Sequence, residues 1–358
     1  MRKAAVAFVC LILVLSFLGG SMTVFAKKPP KPPGGGGEEL GTEYRVTDTE
    51  TAAYIPAVYG NRIVYQDNRN GNPDLYMYDL GDDGIPFTED DGGESQLTSD
   101  PGNDWDPEIW GDKIVFRRKE ANPSDFDLYL YDLSTGTEYQ MTNDLKHSTH
   151  DIFENIIVAK NDIKEIWVFD LGDDGIPSED DQEYTIATQV YSGWPRIHGN
   201  KIVYRNNLTI NVYYLSGDLE GQTLTMSVDY EPSISDIYEN YIVWSDQRNG
   251  NQDVFLYDLG PDGELGTSDD GGEKQITRSK SQDVGARIYG GNIVWRSYRM
   301  VGGWEFRENI VLHNLVSGDT HQLTNSGDAR VCRLHGDHIV YQDEREGRWN
   351  IYLYKLNP

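Results

Sequence analysis

The chain has 358 residues, of which 38% are hydrophobic, 11% aromatic and 25% charged, so it can bury a large core and is not a mostly disordered chain. It contains 31 Lys and Arg against 59 Asp and Glu, a formal net charge of −28. A chain this acidic repels phosphate backbones and anionic headgroups, which excludes nucleic acid as an expected partner.

The N-terminus predicts a secretory signal peptide over residues 1–26. Arg2 and Lys3 form a basic start, an apolar run follows from Ala4 to Leu18, and small residues precede a cleavage site after Ala26. The alternative is a membrane anchor, but the apolar run is shorter than the roughly 20 residues that a spanning helix needs. We therefore expect a protein that is secreted, extracellular or in the cell envelope, with no membrane span after cleavage.

A Pro-rich and then Gly-rich segment, residues 27–41, is typical of a linker. Removal of the signal peptide also removes Cys10 and leaves Cys332 as the one cysteine, so we expect no internal disulfide.

From residue 42 to 358 one pattern repeats: a tight turn, an Ile-Val pair, an alternating apolar run, and a short strand such as Gln-Leu-Thr. The Ile-Val pairs begin 40 to 51 residues apart, which is the period of a four-stranded propeller blade. The pairs begin at Ile63, Ile114, Ile157, Ile202, Ile242, Ile293 and Ile339. The pattern predicts an all-β fold, a seven-bladed β-propeller with four strands in each blade.

The last repeat ends at Leu356 without a fourth strand. The segment Tyr44 to Thr47, which precedes the first complete repeat, resembles that missing strand. We expect it to complete the last blade, which closes the ring and removes its free edges.

Three repeats also carry the motif D-x-x-x-G-x-x-[DN] between their second and third strands. Its residues are Asp67, Gly71 and Asp74; Asp246, Gly250 and Asp253; and Asp343, Gly347 and Asn350. With this motif the repeats over residues 42–357 resemble those of TolB-like propellers. The resemblance implies the propeller fold and leaves the partner open, because propellers serve as binding scaffolds and as enzymes.

Repeats 1, 3 and 5 carry a long acidic loop between their third and fourth strands. Each loop places Asp at positions 1 and 5, Gly at 6 and Asp at 12 of a calcium-loop frame. The predicted ligands are Asp79, Asp83 and Asp90; Asp170, Asp174 and Asp181; and Asp258, Asp262 and Asp269. The sequence predicts structural Ca²⁺ on the face opposite the usual ligand face, and the alternative is three solvated acidic turns.

The residue three places before each tight turn faces the central channel and is charged in six of the seven repeats. These residues are Glu108, Asp151, Arg196, Asp236, Arg287 and Arg333, and Ala57 is the seventh. They form either a salt-bridge belt that joins the blades or a funnel that offers three arginines to an anionic ligand. Trp105 and Trp194, near the same face, either stack on a sugar ring or pack within the blades.

Catalytic motifs are weak in this sequence, since no Ser-His-Asp arrangement can be assigned and no HExxH motif occurs. We therefore expect a non-enzymatic propeller that binds a protein or a polysaccharide on its loop face. The alternative is a carbohydrate-active propeller enzyme, either a polysaccharide lyase or a glycoside hydrolase.

Overall fold

The computed structural model describes residues 40–119, 126–143, 147–179, 181–191, 193–233, 236–302 and 305–357. The predicted signal peptide and most of the linker lie outside these residues. The described chain forms seven antiparallel sheets of four strands each, which confirms the predicted seven-bladed propeller. No helix in this part of the chain is long and apolar enough to cross a membrane.

Each blade is a meander of four strands, the first at the channel and the fourth at the rim. The first strand of the chain is β1 (Gly41–Arg45), which belongs to blade 7. Blade 1 contains β2 (Ala53–Tyr59), β3 (Arg62–Asp67), β4 (Asp74–Asp79) and β5 (Gly93–Gln96). Blade 2 contains β6 (Asn103–Trp110), β7 (Lys113–Lys119), β8 (Phe126–Asp132) and β9 (Thr137–Gln140). Blade 3 contains β10 (His147–Phe153), β11 (Ile156–Asn161), β12 (Ile166–Asp170) and β13 (Gln182–Ala187).

The remaining blades repeat this order. Blade 4 contains β14 (Arg196–His198), β15 (Lys201–Asn206), β16 (Thr209–Tyr214) and β17 (Thr223–Ser227). Blade 5 contains β18 (Asp236–Tyr238), β19 (Tyr241–Asp246), β20 (Asp253–Asp258) and β21 (Gly272–Gln275). Blade 6 contains β22 (Gln282–Tyr289), β23 (Asn292–Gly302), β24 (Glu305–Asn314) and β25 (Thr320–Gln322). Blade 7 contains β26 (Ala329–His335), β27 (His338–Asp343) and β28 (Asn350–Leu356), followed in space by β1.

The hydrophobic core lies between blades rather than at one centre. The described residues form seven clusters of buried side chains, and each cluster combines residues of two neighbouring blades. Ile63 and Tyr65 of blade 1, for example, pack with Val340 and Ile351 of blade 7. This arrangement explains why the second and third strands are apolar on both faces: each face meets a different neighbour.

The threonine of the Gln-Leu-Thr motif anchors the rim strand. Thr98 Oγ1 accepts a hydrogen bond from the backbone N–H of Leu75 on the third strand at 2.9 Å. Thr142, Thr277 and Thr324 accept from Leu128, Val254 and Ile310 in the same way at 2.9 to 3.0 Å. In these four blades the fourth strand ends at the glutamine. The other two residues of the motif therefore follow the strand and are not part of it.

The N-terminal strand closes the ring, as predicted, although its bounds differ. It runs from Gly41 to Arg45 and pairs antiparallel with β28, with Gly41 opposite Leu356. The predicted segment Tyr44 to Thr47 covers the last two residues of β1 and the threonine that anchors it. Thr47 Oγ1 accepts a hydrogen bond from Ile351 N at 2.9 Å. The closing strand is therefore held by the same threonine-to-backbone hydrogen bond as the fourth strands of blades 1, 2, 5 and 6.

Candidate functional site

The molecule has two chemically different faces. The loop face is formed by the hairpins between second and third strands and by the loops between blades. The turn face is formed by the tight turns between first and second strands and by the loops between third and fourth strands. The predicted ligand site belongs to the loop face and the predicted metal loops belong to the turn face.

The predicted charged residues meet around the channel. Glu108 accepts from Arg333 Nη2 at 2.8 Å and from Arg196 Nη1 at 3.3 Å, although 225 residues separate Glu108 from Arg333. Burial alone would raise the pKa of the Glu108 carboxyl, but Arg333 and then Arg196 lower it to about 2. One carboxylate therefore serves two arginines, and this part of the ring is the salt-bridge belt that the sequence offered as one interpretation.

Asp151 and Asp236 contact the backbone of the next blade. Asp151 Oδ2 accepts from Ile197 N at 2.9 Å, and Asp236 Oδ2 accepts from Ile288 N at 3.0 Å. Burial raises the pKa of Asp151 to about 7, and the Arg196 charge opposes that rise. Both side chains thus tie neighbouring first strands together.

Arg287 differs from the other charged residues of the ring. It is 6% exposed, and among the described residues it makes no ion pair with a carboxylate. Its Nη1 donates to the Ala286 carbonyl at 3.1 Å, while its Nε has no hydrogen-bond partner. Burial, followed by repulsion from Arg196 and Arg333, lowers the pKa of Arg287 to about 9.

A cavity of about 450 Å³ opens above this ring on the loop face. Four predicted residues line it, namely Glu108, Arg287, Arg333 and Trp194. Arg196, Asp151 and Asp236 are not part of its wall, and Trp105 instead packs on Phe126 with ring centroids 5.1 Å apart. Trp194 is 40% exposed, and the guanidinium of Arg196 lies 5.9 Å from its ring centroid.

Four first strands bulge where they pass the cavity. Ile55, Asp106, Gly285 and Val331 stand two residues before the channel-facing position, have φ between +46° and +66°, and line the cavity. The pairing register shifts beside each of them. A β-branched residue such as Ile55 or Val331 rarely adopts this conformation, and such bulges concentrate next to functional sites.

His150 also lines the cavity, although it was not among the predicted site residues. It is 4% exposed, and its Nε2 lies 3.2 Å from the Val115 carbonyl, so Nε2 carries the proton and donates. Nδ1 has no partner and is left as an acceptor. Burial, with the Arg117 charge, lowers the pKa of His150 to about 4, which keeps the ring neutral.

The turn-face end of the channel is closed by a ring of aromatic side chains that the sequence interpretation missed. One residue from each blade, directly before the tight turn, contributes to it, and neighbouring ring centroids lie 4.2 to 4.8 Å apart. The seven residues are Tyr59, Trp110, Phe153, His198, Tyr238, Tyr289 and His335. The signal was present, because every tight turn in the sequence follows an aromatic residue or a histidine.

The two histidines of this ring also join blades. His335 Nδ1 accepts from Gly60 N at 3.0 Å, and His198 Nδ1 accepts from Glu239 N at 3.0 Å. Burial lowers the pKa of both histidines to about 4, so both remain neutral acceptors.

The acidic loops gather some of the predicted ligands. Carboxylate oxygens of Asp83, Asp90 and Asp91 lie within 4.8 Å of one another, as do those of Asp262, Asp269 and Asp270. Neither group includes the strand-end residues Asp79 and Asp258, whose Oδ1 atoms accept from the backbone N–H two residues later, at 3.1 and 3.0 Å.

The loop of blade 3 follows a different frame. Asp170 and Asp174 likewise accept from backbone groups two residues later, those of Gly172 and Ile176. Asp181 accepts from the hydroxyl of Ser178 at 2.9 Å, which is the contact that Asp91 and Asp270 make with Thr88 and Thr267. This loop is one residue shorter, so Asp181 corresponds to position 13 of the other loops; its position-12 counterpart, Asp180, lies outside the described residues.

Each acidic loop packs closely against a basic residue of the preceding blade. A Cβ atom at Gly84 would lie 2.6 Å from His338 Nε2, one at Gly175 2.6 Å from Lys113 Cε, and one at Gly263 2.9 Å from Lys201 Nζ. These glycines have φ of +65° to +68°, so both the turn and the close approach require glycine. Lys113, Lys201 and His338 all stand directly before an Ile-Val pair.

Comparisons with known proteins establish the fold. No protein-family model and no curated protein match the chain. Among solved structures, the β-propeller domain of the Trilobed protease from Pyrococcus furiosus matches with a TM-score of 0.60 and 13% identity, over 86% of this chain and 94% of that one. Oligogalacturonate lyase from Vibrio parahaemolyticus matches with a TM-score of 0.57 and 10% identity, over 89% and 94%. A putative TolB from Agrobacterium tumefaciens matches over 74% and 94%, at 13% identity and a TM-score of 0.46. The first two matches show that the chain has the propeller fold, which occurs in proteins of quite different activity.

Proposed function

We propose that this chain is a secreted, non-enzymatic, TolB-like propeller that binds a protein or polysaccharide at the cell surface through its loop face. One observation carries the proposal. Ten large hydrophobic side chains of the described residues are exposed, and eight of them lie on the loop face, five in its loops and three at the end of the β23–β24 hairpin. The eight are Ile163, Tyr191, Trp194, Leu208, Tyr230, Met300, Val301 and Phe306.

This distribution favours binding because exposed apolar side chains concentrated on one face mark interaction sites. The turn face carries the other two, Phe87 and Val316. The cavity opens on the apolar face, so a ligand can combine the apolar rim with the polar interior.

The test uses the mature protein, residues 27–358, and a panel of acidic and neutral polysaccharides in affinity electrophoresis, together with whole cells of the producing organism. A loop-face variant, Trp194→Ala with Tyr230→Ala and Met300→Ser, is expected to lose binding. A turn-face control, Phe87→Ser with Val316→Ser, should retain it. Equal effects of the two variants, or no binding to cells or polysaccharides, would contradict the proposal.

Secretion is tested separately by expressing the full chain in its host. Mass spectrometry of the secreted protein should give an N-terminus at Lys27, and a cell-retained chain beginning at Met1 would contradict the assignment.

A second candidate function is that of a polysaccharide lyase or glycoside hydrolase. The observation that favours it is the neutral His150, with a free Nδ1, in a wall that also contains Glu108 and three arginines, Arg287, Arg296 and Arg333. New reducing ends or unsaturated products that disappear in the His150→Ala variant would establish this activity in place of simple binding.

The acidic loops are proposed to hold structural Ca²⁺, with Asp91 and Asp270 added to the predicted ligands of blades 1 and 5. The grouped carboxylates repel one another unless a cation is present, and hard oxygen ligands suit Ca²⁺. Saturating Ca²⁺ should stabilise the fold by about 2.7 kcal/mol per site at a hundredfold excess over the dissociation constant.

The calcium test compares melting temperatures in Ca²⁺, Mg²⁺ and EDTA. The triple variant Asp83→Asn, Asp174→Asn, Asp262→Asn should lose most of the Ca²⁺ response, while a control with Asp162, Asp218 and Asp229 changed to Asn should keep it. If Mg²⁺ stabilises as much as Ca²⁺, the ions act by screening and the loops are acidic turns.

A further inference from the structure

Arg287 is a buried cation whose hydrogen-bonding capacity is mostly unused. A guanidinium has five N–H donors, and the structure gives Arg287 one acceptor, the carbonyl of Ala286 at 3.1 Å. An unpaired buried charge is costly, and proteins retain one where a ligand supplies its counterion. Because Arg287 lines the cavity, an anion that pairs with it directly can enter from the loop face.

The neighbouring carboxylates are already committed to other donors. Glu108 holds Arg333 and Arg196. Asp236 Oδ2 accepts from Ile288 N, and Asp151 Oδ2 accepts from Ile197 N. The negative charges of Asp236 and Glu108 act on Arg287, but no carboxylate of the described residues forms an ion pair or hydrogen bond with it.

The cavity wall offers further polar atoms without partners. Among these are His150 Nδ1, Ser233 Oγ and Gln252 Oε1, all of residues that line the cavity. His150 Nδ1 and Gln252 Oε1 accept hydrogen bonds, and Ser233 Oγ can donate or accept. A ligand that supplies partners for these atoms needs one anionic group for Arg287 and several hydroxyl groups around that anionic group.

We infer that the cavity binds the carboxylate of an acidic saccharide, a uronic acid residue, with Arg287 as the carboxylate receptor. A sugar acid carries the required carboxylate and hydroxyl groups on one ring. The exposed Trp194 lies in the cavity wall. Its ring offers a flat apolar surface on which the C–H face of a pyranose can pack. A cavity of about 450 Å³ is within the size range of small-ligand pockets and admits one or two sugar residues.

This inference rests on the proposed loop-face binding and specifies its ligand. The alternative source of a carboxylate is a peptide C-terminus. The free groups of the wall are a histidine, a hydroxyl and an amide, which match a polyhydroxylated ring better than a peptide with apolar side chains.

The experiment is isothermal titration of the mature protein with galacturonate and glucuronate oligosaccharides and with the methyl esters of the same oligosaccharides. Esterification removes the charge and keeps the sugar ring. We expect at least about a tenfold weaker affinity for the esters, because a charge-assisted hydrogen-bonded pair is lost. In the Arg287→Met variant, acid and ester should bind alike.

A matched control separates specific binding from general attraction. Arg299 is an exposed arginine on the β23–β24 hairpin of the same face, and Arg299→Met should preserve the preference for the acid. Melting curves of both variants verify that they fold. Equal binding of acid and ester by the unmodified protein, or equal loss in both variants, would overturn the carboxylate assignment.

Two further outcomes separate this inference from the proposed function. If no uronate oligosaccharide binds but a neutral polysaccharide or the cell surface does, the carboxylate inference fails and loop-face binding stands. If peptides with a free C-terminus bind through Arg287 and amidated peptides do not, the saccharide assignment is wrong.

Discussion

The loop-face and turn-face ends of the central channel are built from the same seven strands but have opposite chemistry. Three residues before each tight turn the side chains are mostly charged, and three of them line a cavity; two residues later the side chains are aromatic and form a continuous ring. The side chains of the aromatic ring pack on one another, and His198 and His335 accept hydrogen bonds from backbone N–H groups, so the partners of this ring come from within the protein. The charged ring differs, because no carboxylate of the described residues forms an ion pair with Arg287. The difference assigns the aromatic end to stabilisation of the propeller and is the basis of the ligand site that we propose at the charged end.

The largest effect is expected from opening the ring, which breaks both ends at once. Removal of residues 1–47 deletes β1, the Thr47 anchor, and Glu43, which accepts from Arg345 Nη1 and Nη2 at 2.9 Å. The loss should exceed about 3 kcal/mol, since each hydrogen bond contributes about 0.5–1.5 kcal/mol. Urea unfolding measures it.

The control for ring opening is a chain lacking residues 1–39, which keeps β1 and should match the stability of residues 27–358. Unchanged unfolding after removal of residues 1–47 would mean that closure by β1 contributes little.

At the charged end, two substitutions should have opposite effects. Glu108→Gln leaves Arg196 and Arg333 without their shared carboxylate and should cost about 3 kcal/mol, the usual range for breaking a buried pair. Arg287→Met removes a buried charge that forms no ion pair among the described residues and that Arg196 and Arg333 repel, so the free energy of unfolding should stay unchanged or rise. Chemical denaturation of the two variants tests this contrast, and equal destabilisation would show that Arg287 is paired within the protein.

At the aromatic end, Trp110→Ala should destabilise the fold by about 2 kcal/mol, below the 3–5 kcal/mol of a fully buried aromatic residue because Trp110 is half-buried. Its ring contacts Tyr59 and Phe153 at 4.8 and 4.2 Å. Trp105→Ala is the matched control and should cost less, since Phe126 is the one aromatic neighbour of Trp105 among the described residues. Ligand affinity should be unaffected by Trp110→Ala, and a large loss of affinity would argue against the division of roles.

The smallest effect concerns pH. His198 and His335 have folded pKa values of about 4, against about 6.5 when unfolded. Between these values the unfolded chain binds protons that the folded chain does not, so stability falls as the pH falls from 6.5 towards 4. The double variant His198→Phe, His335→Phe should therefore lose less stability between pH 7 and pH 5 than the unmodified protein.

At the charged end we expect stability to change with pH in the opposite direction. Burial raises the pKa of Asp151 to about 7, so the folded chain keeps a proton that the unfolded chain releases near pH 4, and stability falls as the pH rises between these values. Asp151→Asn should increase the loss of stability on acidification from pH 7 to pH 5. Urea midpoints at three pH values measure both slopes, and identical slopes in all three proteins would contradict the assignment.

Much of the architecture could be predicted because a repeat imposes it. The Ile-Val period and the missing fourth strand after Leu356 led to seven blades and to closure by the N-terminal segment, and the structure confirms both. The strand β1 begins three residues and ends two residues earlier than predicted, and the end differs because the last two residues of the motif, Val46 and Thr47, lie beyond the strand. The aromatic ring was also predictable, since Tyr59 and its six counterparts hold a fixed place in the repeat.

The contacts within the rings could not be read from the repeat. The sequence by itself determined which residue types face the channel, because strand alternation and the tight turns fix the direction of each side chain. Only the tertiary structure decided that Glu108 pairs with Arg333 and Arg196, while no carboxylate in the described part of the chain forms an ion pair with Arg287. It likewise decided that Asp181 takes the place of Asp91 rather than Asp90. The physical reason is that these contacts depend on which side chains reach one another around the channel and on how each loop folds, and the repeat pattern specifies neither.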